Sequence, residues 1–484
     1  MNYRMIAYII GHIVRVEGIL MVLPLICALI YGEGSWLAFL IPIAAALMIG
    51  TLFTVKKPEN TQIFAKEGFV SVALSWIIMS LIGALPFVIG GAIPSYVDAF
   101  FETVSGFTTT GASILTDVEA MDHCMLFWRS FTQWIGGMGV LVFVMAILPQ
   151  ADTRSVKLMH VMRAEVPGPK VGKLVSKISR TARIMYGIYI VMTAIEIVLL
   201  LIGGMPFFDS LLNSFATAGT GGFGIKAASI AAYDSAYIDY VIGIFMVLFG
   251  VNFNLYYFIL IGQGVQALKS EELRWYAAIV TGAAALIAWD IYRIYGNVGD
   301  SVRYAFFQVS SVITTTGFAT ADFNTWPVLS QTILVLLMFC GACAGSTAGG
   351  IKVSRIILLV KMGLREIKYM LHPRAVIAIN MEGKPAEREV IRSAAAFIIV
   401  YNMLYVVSFF CLTFAEECDL VTGFTAVAAT INNIGPGLGE VGPMGSFAGF
   451  TDFTKLLLSF DMLAGRLEIF PMIMLLAPST WRSR

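Results

Sequence analysis

The sequence predicts an all-α protein that crosses a membrane many times, and its composition and its long apolar runs are the evidence. Of the 484 residues, 58% are hydrophobic and only 13% are charged, and the mean hydropathy is +0.82. A soluble domain needs more charge on its surface, so this composition is typical of a polytopic membrane protein. The formal net charge of +1 provides no overall field that would attract a nucleic acid.

Ten apolar runs are long enough to span a bilayer, which takes about 20 helical residues. The first run has no small-residue cleavage site, so we interpret it as a spanning helix rather than a signal peptide. The eighth run is interrupted by small residues. The runs lie near residues 5–31, 36–54, 68–92, 125–148, 183–204, 238–264, 275–296, 328–370, 391–415 and 453–477.

Loop charges predict the orientation of these spans, because cytoplasmic loops carry an excess of Lys and Arg. Segments 94–124 and 416–452 each hold five acidic residues and no Lys or Arg, so we expect them on the outer face. Segment 151–184 is basic and should be cytoplasmic, and ten crossings then place both termini in the cytoplasm. Its eight basic residues are Arg154, Lys157, Arg163, Lys170, Lys173, Lys177, Arg180 and Arg183.

A local pattern recurs four times in the outward connections, each time as an apolar lead-in followed by a polar run with glycine. The lead-ins are about ten residues long, too short to span but long enough for a half-helix that enters from outside. Four units of helix, re-entrant half-helix, polar strand and helix would form a pseudo-fourfold bundle around one pore. The four stretches are "DAFFETVSGFTTTGAS", "FFDSLLNSFATAGTGGFG", "YAFFQVSSVITTTGFAT" and "LVTGFTAVAATINNIGPGLG".

This repeat divides the chain into an accessory pair of N-terminal helices and four pore units. The accessory pair occupies residues 1–64 and the first pore unit residues 65–150. The basic loop and the second unit occupy residues 151–270. The third unit, with its interrupted inner helix, occupies residues 271–385, and the fourth occupies residues 386–484.

The four polar runs are candidate walls of an ion path. Non-helical backbone at membrane depth is tolerated only where protein buries it or water reaches it. A ring of carbonyls and Thr hydroxyls can replace the hydration shell of a monovalent cation, as in potassium filters. The alternative is close helix packing through small residues. The candidate cation ligands are Thr110, Gly111, Thr220, Gly221, Thr316, Gly317, Ile434 and Gly435.

The interruption of the eighth run, "GACAGSTAGG" from Gly341 to Gly350, is a candidate gate. Glycine supports a helix poorly, so we expect an irregular loop near the axis beneath the filter. A packing face of small residues is the alternative. The candidate gate residues in and beside this loop are Gly345, Ser346, Thr347, Gly349, Gly350 and Lys352.

Arg466 lies about midway along the last span, where an ionisable residue is a functional candidate by default. Facing the pore, its charge would raise the barrier to cations or hold a gate. Facing protein, it would pair with a carboxylate such as Asp461 or Glu468. We expect the pore-facing position.

No pattern in the sequence indicates an enzyme or a bound cofactor. The lone "CGAC" pair, Cys340 and Cys343, has no second pair and no neighbouring His, so it predicts no metal site. "GSTAGGIK" lacks the Gly-Lys-Ser/Thr ending of a phosphate loop. The four His residues are scattered, and no Ser, His and acid set shares one membrane depth.

These motifs resemble the Trk/Ktr/HKT superfamily of potassium transporters, most closely the bacterial TrkH-type membrane subunit, over essentially the whole chain. The resemblance implies potassium in the filter, a gating loop at Gly341 to Gly350 and a constricting arginine at Arg466. It also implies a homodimer in the bacterial cytoplasmic membrane and a cytosolic TrkA-like ring that binds nucleotides. The motifs are "TTTGA", "GGF", "TTGF", "NNIGPGLGEVGP", "CAGSTAGGIK" and "GRLEIF".

Two transport mechanisms remain open at this point. A gated channel-like subunit for potassium uptake fits four units of one orientation. An alternating-access symporter coupled to protons or sodium also uses broken helices, but usually in inverted halves. The sequence therefore favours the channel and keeps the symporter as the alternative.

Overall fold

The computed structural model describes residues 1–60, 63–139, 178–375 and 377–482. The basic residues of segment 151–177 therefore lie outside the described part of the chain. The described residues are almost entirely helical, with one two-stranded hairpin. The prediction of an all-α protein is confirmed at this level.

The helices of the N-terminal half, in chain order, are grouped by the segments that the sequence analysis defined. The accessory helices are α1 (Tyr3–Leu20), α2 (Val22–Tyr31) and α3 (Trp36–Thr54). Those of residues 65–139 are α4 (Ala65–Gly83), α5 (Leu85–Ile89), α6 (Tyr96–Phe107) and α7 (His123–Gly137). Those of residues 178–268 are α8 (Ile178–Ile202), α9 (Phe207–Gly219), α10 (Ala236–Phe249), α11 (Phe253–Leu260) and α12 (Gly264–Leu268).

The C-terminal half repeats the arrangement. Its first set is α13 (Glu271–Tyr295), α14 (Val298–Ile313), α15 (Val328–Met338) and α16 (Val353–Leu371). Its second set is α17 (Arg388–Ala415), α18 (Leu420–Ile431), α19 (Asp452–Arg466), α20 (Phe470–Leu476) and α21 (Pro478–Trp481). Short 3-10 turns occupy Ser229–Tyr233, Phe323–Thr325, Gly439–Val441 and Phe447–Gly449.

A small antiparallel hairpin lies between α16 and α17. Its strands are β1 (Asn380–Met381) and β2 (Lys384–Pro385). Glu382 and Gly383 form the turn with φ of 52° and 73°, the pair of positive values that a type I′ hairpin turn requires. Ile379, just before β1, is buried against Leu358 and Ala394 and fixes the hairpin to α16 and α17.

Among the described residues, six helices are long and apolar enough to span a membrane, or seven if the bent pair α10 and α11 counts as one span. The sequence predicted ten. The difference lies in the second full span of each unit, which is broken or ends early. Helix α7 ends at Gly137, helix α15 at Met338 and helix α19 at Arg466. We predicted an interruption only in the eighth run.

The additional breaks have identifiable local causes. Between α10 and α11 the chain bends by 91°, and the Asn252 side chain accepts the Asn254 N–H at 3.0 Å, which starts a new helix. Between α19 and α20, Glu468 and Ile469 have φ of 55° and 70°, and Pro471 sits in the first turn of α20, where its missing N–H costs nothing.

The short helices α6, α9, α14 and α18 occupy the four lead-ins for which the sequence predicts re-entrant half-helices, and we refer to them as the half-helices. They have 12, 13, 16 and 12 residues, or about 18–24 Å of helix, which is less than a hydrocarbon core. Each packs against the helix that follows it, and each of those helices packs against the next half-helix. Since α19 packs against α6, the eight helices close into a ring.

Candidate functional site

The loops that follow the four half-helices share one backbone conformation. Each has two positive φ angles separated by one residue, and the N–H between them donates at 2.8 Å to the carbonyl five residues earlier. The positive-φ pairs are Thr109 (55°) and Gly111 (82°), Thr220 (54°) and Gly222 (72°), Thr315 (56°) and Gly317 (87°), and Asn433 (56°) and Gly435 (98°). The sequence repeat is therefore a repeat of structure.

The second loop is displaced by one residue from the register that the sequence predicts. We matched Thr220 and Gly221 with Thr110 and Gly111, but Gly222 has the conformation of Gly111, and Gly221 takes the place of Thr110. The reason is an extra glycine in "GTGGFG". The Gly222-Phe223 pair, which matches Gly317 and Phe318, was the guide to the correct register.

The four loops touch one another in a closed ring through these glycines. A Cβ on Gly111 would overlap the carbonyl oxygen of Gly221, and a Cβ on Gly222 would overlap that of Thr316. Gly317 meets the Ile434 oxygen in the same way, and Gly435 meets the Thr110 oxygen. Each glycine therefore lies against the carbonyl before the next glycine, and only a residue without a side chain fits.

A cavity of about 310 Å³ lies over this ring. All four glycines with positive φ line it. We predicted a mouth ringed by acidic residues, but the described charged residues that line the cavity are Arg129 and Lys226. Both are paired with carboxylates, Arg129 with Glu102 at 2.6 Å and Lys226 with Glu119 at 3.5 Å.

Glu102 and Arg129 join the first and second loops behind the ring. Glu102 on α6 accepts from the Ile114 N–H and the Ser113 hydroxyl, both at 3.0 Å. Arg129 on α7 donates to the Gly224 carbonyl at 2.8 Å and lies over the Phe223 ring. Both charged side chains are buried. Their mutual attraction and their hydrogen bonds offset the free energy that it costs to remove the two charges from water.

Amide side chains also brace the ring, and the sequence interpretation did not identify them. Gln133, one turn beyond Arg129 on α7, donates to the Gly221 carbonyl at 2.7 Å and accepts the Phe223 N–H at 3.0 Å. Asn433 donates to the Thr110 hydroxyl at 3.0 Å. The polar residues Arg129 and Gln133, spaced i and i+4 in an apolar run, were the available indication.

In the first and third loops, two of the three Thr hydroxyls form a hydrogen-bonded pair, and one of each pair bonds back to its own half-helix. Thr108 and Thr110 share a hydrogen bond of 2.7 Å between their hydroxyls, and Thr314 and Thr316 do the same at 2.7 Å. Thr108 also donates to the Val104 carbonyl at 2.7 Å. These contacts hold the backbone of each loop in place, and they already engage the hydroxyls of Thr108, Thr110, Thr314 and Thr316.

The candidate gate is an irregular loop between α15 and α16, as predicted. It is bound to the break after α10, where the Cys343 N–H donates to the Gly250 carbonyl and the Phe253 N–H donates to the Gly345 carbonyl, both at 3.0 Å. It also touches the base of the ring, because the Gly349 N–H donates to the Thr315 hydroxyl at 2.7 Å. The loop therefore contacts the third loop of the ring, and its Gly349 also lies against Asn432 and Asn433 of the fourth.

The other candidate gate residues are held mainly by hydrogen bonds to backbone carbonyls. Thr347 is buried, and its hydroxyl donates to the Phe249 carbonyl at 3.3 Å. Ser346 donates to the Cys343 carbonyl at 2.7 Å. Lys352 has a φ of 76°, and its ammonium group donates to the Ala348 carbonyl. Gly350 has a φ of 72° and ends the loop.

Arg466 binds backbone carbonyls at the level of this loop. Its guanidinium donates to Thr347 at 2.7 Å on one side and to Gly136 at 2.6 Å and Gly137 at 2.7 Å on the other. Asp461 and Glu468, which we considered as partners, bind Ser408 and Arg355 instead. The arginine thus joins the candidate gate loop to the end of α7 across the bundle.

Comparison with known proteins decides the family. A family model described as TrkH, cation transport protein, matches residues 37–280 and 294–483. The chain belongs to the TrkH family. This family is one of transporters rather than enzymes, and the resemblance predicted from the sequence motifs is confirmed.

Relatives in the TrkH family match along their whole length. The chain is 37% identical to the Trk system potassium uptake protein TrkH of Salmonella typhimurium and 36% identical to that of Escherichia coli K12, with 100% of each chain covered. The crystal structure of the potassium transporter TrkH from Vibrio parahaemolyticus matches with a TM-score of 0.89 at 34% identity, again over 100% of both chains.

The closed ring predicts that substitution of Gly222 is far more damaging than substitution of an isolated glycine. Gly222→Ala should combine backbone strain of about 1 kcal/mol with overpacking of about 1–3 kcal/mol against a carbonyl that cannot move aside. Thermal unfolding of the purified variants measures this. Gly91→Ala is the matched control, because Gly91 has a φ of 73° and no heavy atom within 4 Å of an added Cβ. Equal losses in the two variants would contradict the ring contact.

The buried ion pair behind the ring predicts a second difference in stability. Arg129→Ala leaves the Glu102 carboxylate buried without its partner and should cost about 3–5 kcal/mol. Lys226→Ala breaks a pair in which both side chains are 40% or more exposed, so it should cost at most about 1 kcal/mol. Thermal melting in detergent compares the two, and a mild effect of Arg129→Ala would show that the pair does not brace the loops.

Proposed function

We propose that this chain is the ion-conducting, gated subunit of a potassium uptake system, and that the ring of four loops is its selectivity filter. The observation that carries the proposal is the closed sequence of contacts in which each glycine lies against the carbonyl of the next loop. The relatives named as potassium uptake proteins support the choice of ion.

In this proposal, backbone carbonyls replace the water around K⁺ as it enters the ring. The proposed ligands combine the sequence-predicted set with the corrected register of the second loop. The half-helices end at the ring, so their negative dipole ends favour a cation there. The ligands are the carbonyls of Thr110, Gly111, Thr220, Gly221, Gly222, Thr316, Gly317, Ile434 and Gly435.

We propose a short filter, because the conformation that the four loops share ends at the glycine with positive φ. The residues after the four glycines are Ala112, Phe223, Phe318 and Pro436, of which only the two Phe residues are alike. A regular column of carbonyls cannot extend through such different residues. We therefore propose one well-defined ring of carbonyl ligands with a wider cavity outside it. We also propose that this ring prefers K⁺ and Rb⁺ over Na⁺.

The gate in this proposal is the loop from Gly341 to Gly350, closed by Arg466. Its guanidinium places a positive charge beneath the ring and holds Thr347 in place. Cations therefore meet both an obstruction and a repulsive charge. Movement of the loop away from Thr315 and Arg466 would open the path.

The assembly and location follow from the family rather than from contacts in this chain. We propose a homodimer with one pore in each chain, in the cytoplasmic membrane with both termini inside. The cytosolic partner would be a TrkA-like ring that binds nucleotides and governs opening. The charge pattern of the sequence predicts a cytoplasmic position for the segment that holds Arg154 to Lys177, and such a partner would bind on that side of the membrane.

Tracer flux into liposomes tests conduction against coupled transport. We expect uptake of K⁺ and Rb⁺ well above Na⁺, with a rate that rises linearly with the electrochemical gradient and needs no proton or sodium gradient. Liposomes without protein give the background. Uptake in a fixed ratio with protons or sodium would support the symporter and overturn the channel.

Removal of Arg466 tests the gate. Arg466→Ala should raise the K⁺ flux several-fold, because the positive charge and the hydrogen bond to the loop are both lost. Arg365→Ala is the matched control, since Arg365 pairs only with its exposed neighbour Glu366 among the contacts described. Reduced flux through a variant with unchanged thermal stability would contradict the role of Arg466.

A further inference from the structure

One buried carboxylate fixes both ends of the candidate gate loop. Glu272, in the first turn of α13, accepts the Ala344 N–H at 2.8 Å and the Ser354 N–H at 3.2 Å, both through Oε1. Only 6% of Glu272 is exposed. Ala344 lies near the start of the loop and Ser354 in the first turn of the helix that follows it. The position of the loop therefore depends on the position of the first turn of α13.

That first turn is itself held by the hairpin of β1 and β2. The Glu382 carboxylate accepts from the Ser270 hydroxyl at 2.9 Å, the Glu271 N–H at 3.0 Å and the Glu272 N–H at 3.2 Å. These amides are among those that a helix start leaves without partners in the helix. A negative charge is also favoured at this end of the helix dipole. Glu382 is thus a helix cap supplied from a distant part of the chain.

The contact is reciprocal, which makes it a clasp between the hairpin and α13. Glu271 accepts the Glu382 N–H at 3.3 Å. Lys361 on α16 pairs with Glu271 and donates to the Asn380 carbonyl at 2.7 Å. We call this set the hairpin clasp, and its members are Ser270, Glu271, Lys361, Asn380 and Glu382.

The hairpin turn is accessible, whereas Glu272 and the loop are not. Glu382, Gly383 and Lys384 are exposed. Cys343 and Ala344 in the gate loop are buried. The clasp therefore connects a surface that a cytosolic molecule could reach with a loop that it could not reach directly.

We propose that the hairpin controls the gate loop through the clasp. Glu382 fixes the first turn of α13, this turn positions Glu272, and Glu272 holds the amides of Ala344 and Ser354. Displacement of the hairpin frees that turn and loosens the loop. Glu382 and Glu272 are positioning residues in this scheme, which rests on the proposed role of the loop as the gate.

Two readouts in full-length protein test the scheme, and one of them does not depend on conduction. The first is the rate at which a small methanethiosulfonate modifies Cys343 in a variant whose other five cysteines are serine. The second is K⁺ flux into liposomes. Glu382→Ala should raise both several-fold, and Glu382→Gln, which keeps one acceptor oxygen, should raise them less. Glu366→Ala, which removes an exposed carboxylate on α16 outside the clasp, should change neither.

A double variant tests whether the two residues act in one path. Glu382→Ala should add nothing to the Cys343 labelling rate of Glu272→Ala, because both variants free the gate loop from its contact with Glu272. Thermal melting of each variant establishes that it is folded, and Glu382→Ala alone suffices if Glu272→Ala does not fold. Additive labelling rates, or an unchanged Cys343 labelling rate in Glu382→Ala, would overturn the scheme.

The scheme and the proposed gate fail in different ways. If Arg466→Ala raises flux while Glu382→Ala changes neither flux nor labelling, the gate stands and the role of the hairpin is wrong. If Glu382→Ala speeds Cys343 labelling while neither it nor Arg466→Ala changes flux, the hairpin does position the loop. In that case it is the role of the loop as a gate that fails.

Discussion

The structure depends on contacts between a glycine of one loop and a backbone carbonyl of the next. Such contacts leave no room for a Cβ, so they require glycine on one side and place no requirement on the side chain of the other. The partners of the four glycines are accordingly Thr110, Gly221, Thr316 and Ile434. The half-helices bring these loops to one place, and the closed ring of packed helices keeps them there.

This constraint explains what the sequence could predict and what it could not. The apolar runs, the short helices and the glycine-bearing loops have local patterns, so their positions along the chain were predicted, although only one of the breaks in the second spans was. The register of the second loop was predicted wrongly, because a position that contributes only its carbonyl can hold any residue. Matching Thr220 and Gly221 to the other Thr-Gly pairs was therefore misleading. The glycine with positive φ and the Phe223 that follows it carried the correct information.

Arg466 shows the same division between local and tertiary information. A charge within an apolar span marks it from the sequence alone, but its partners could not be predicted from side-chain types. They are carbonyls of Gly136, Gly137 and Thr347, which are available because α7 ends there and the gate loop is irregular. Helix ends leave carbonyls without partners in the helix, and a guanidinium has five donors to satisfy them. The breaks in the spans thus create the site for the arginine.

The four loops of the ring are not braced alike, and this difference bears on gating. The first and second loops are held by side chains of helices, namely Glu102, Arg129 and Gln133. The third loop has a brace of another kind, since its Thr315 hydroxyl accepts a hydrogen bond from Gly349 in the gate loop itself. A displacement of the gate loop therefore leaves the braces of the first two loops intact and removes one from the third. The side of the ring formed by the third loop is the one whose geometry depends on the position of the gate loop.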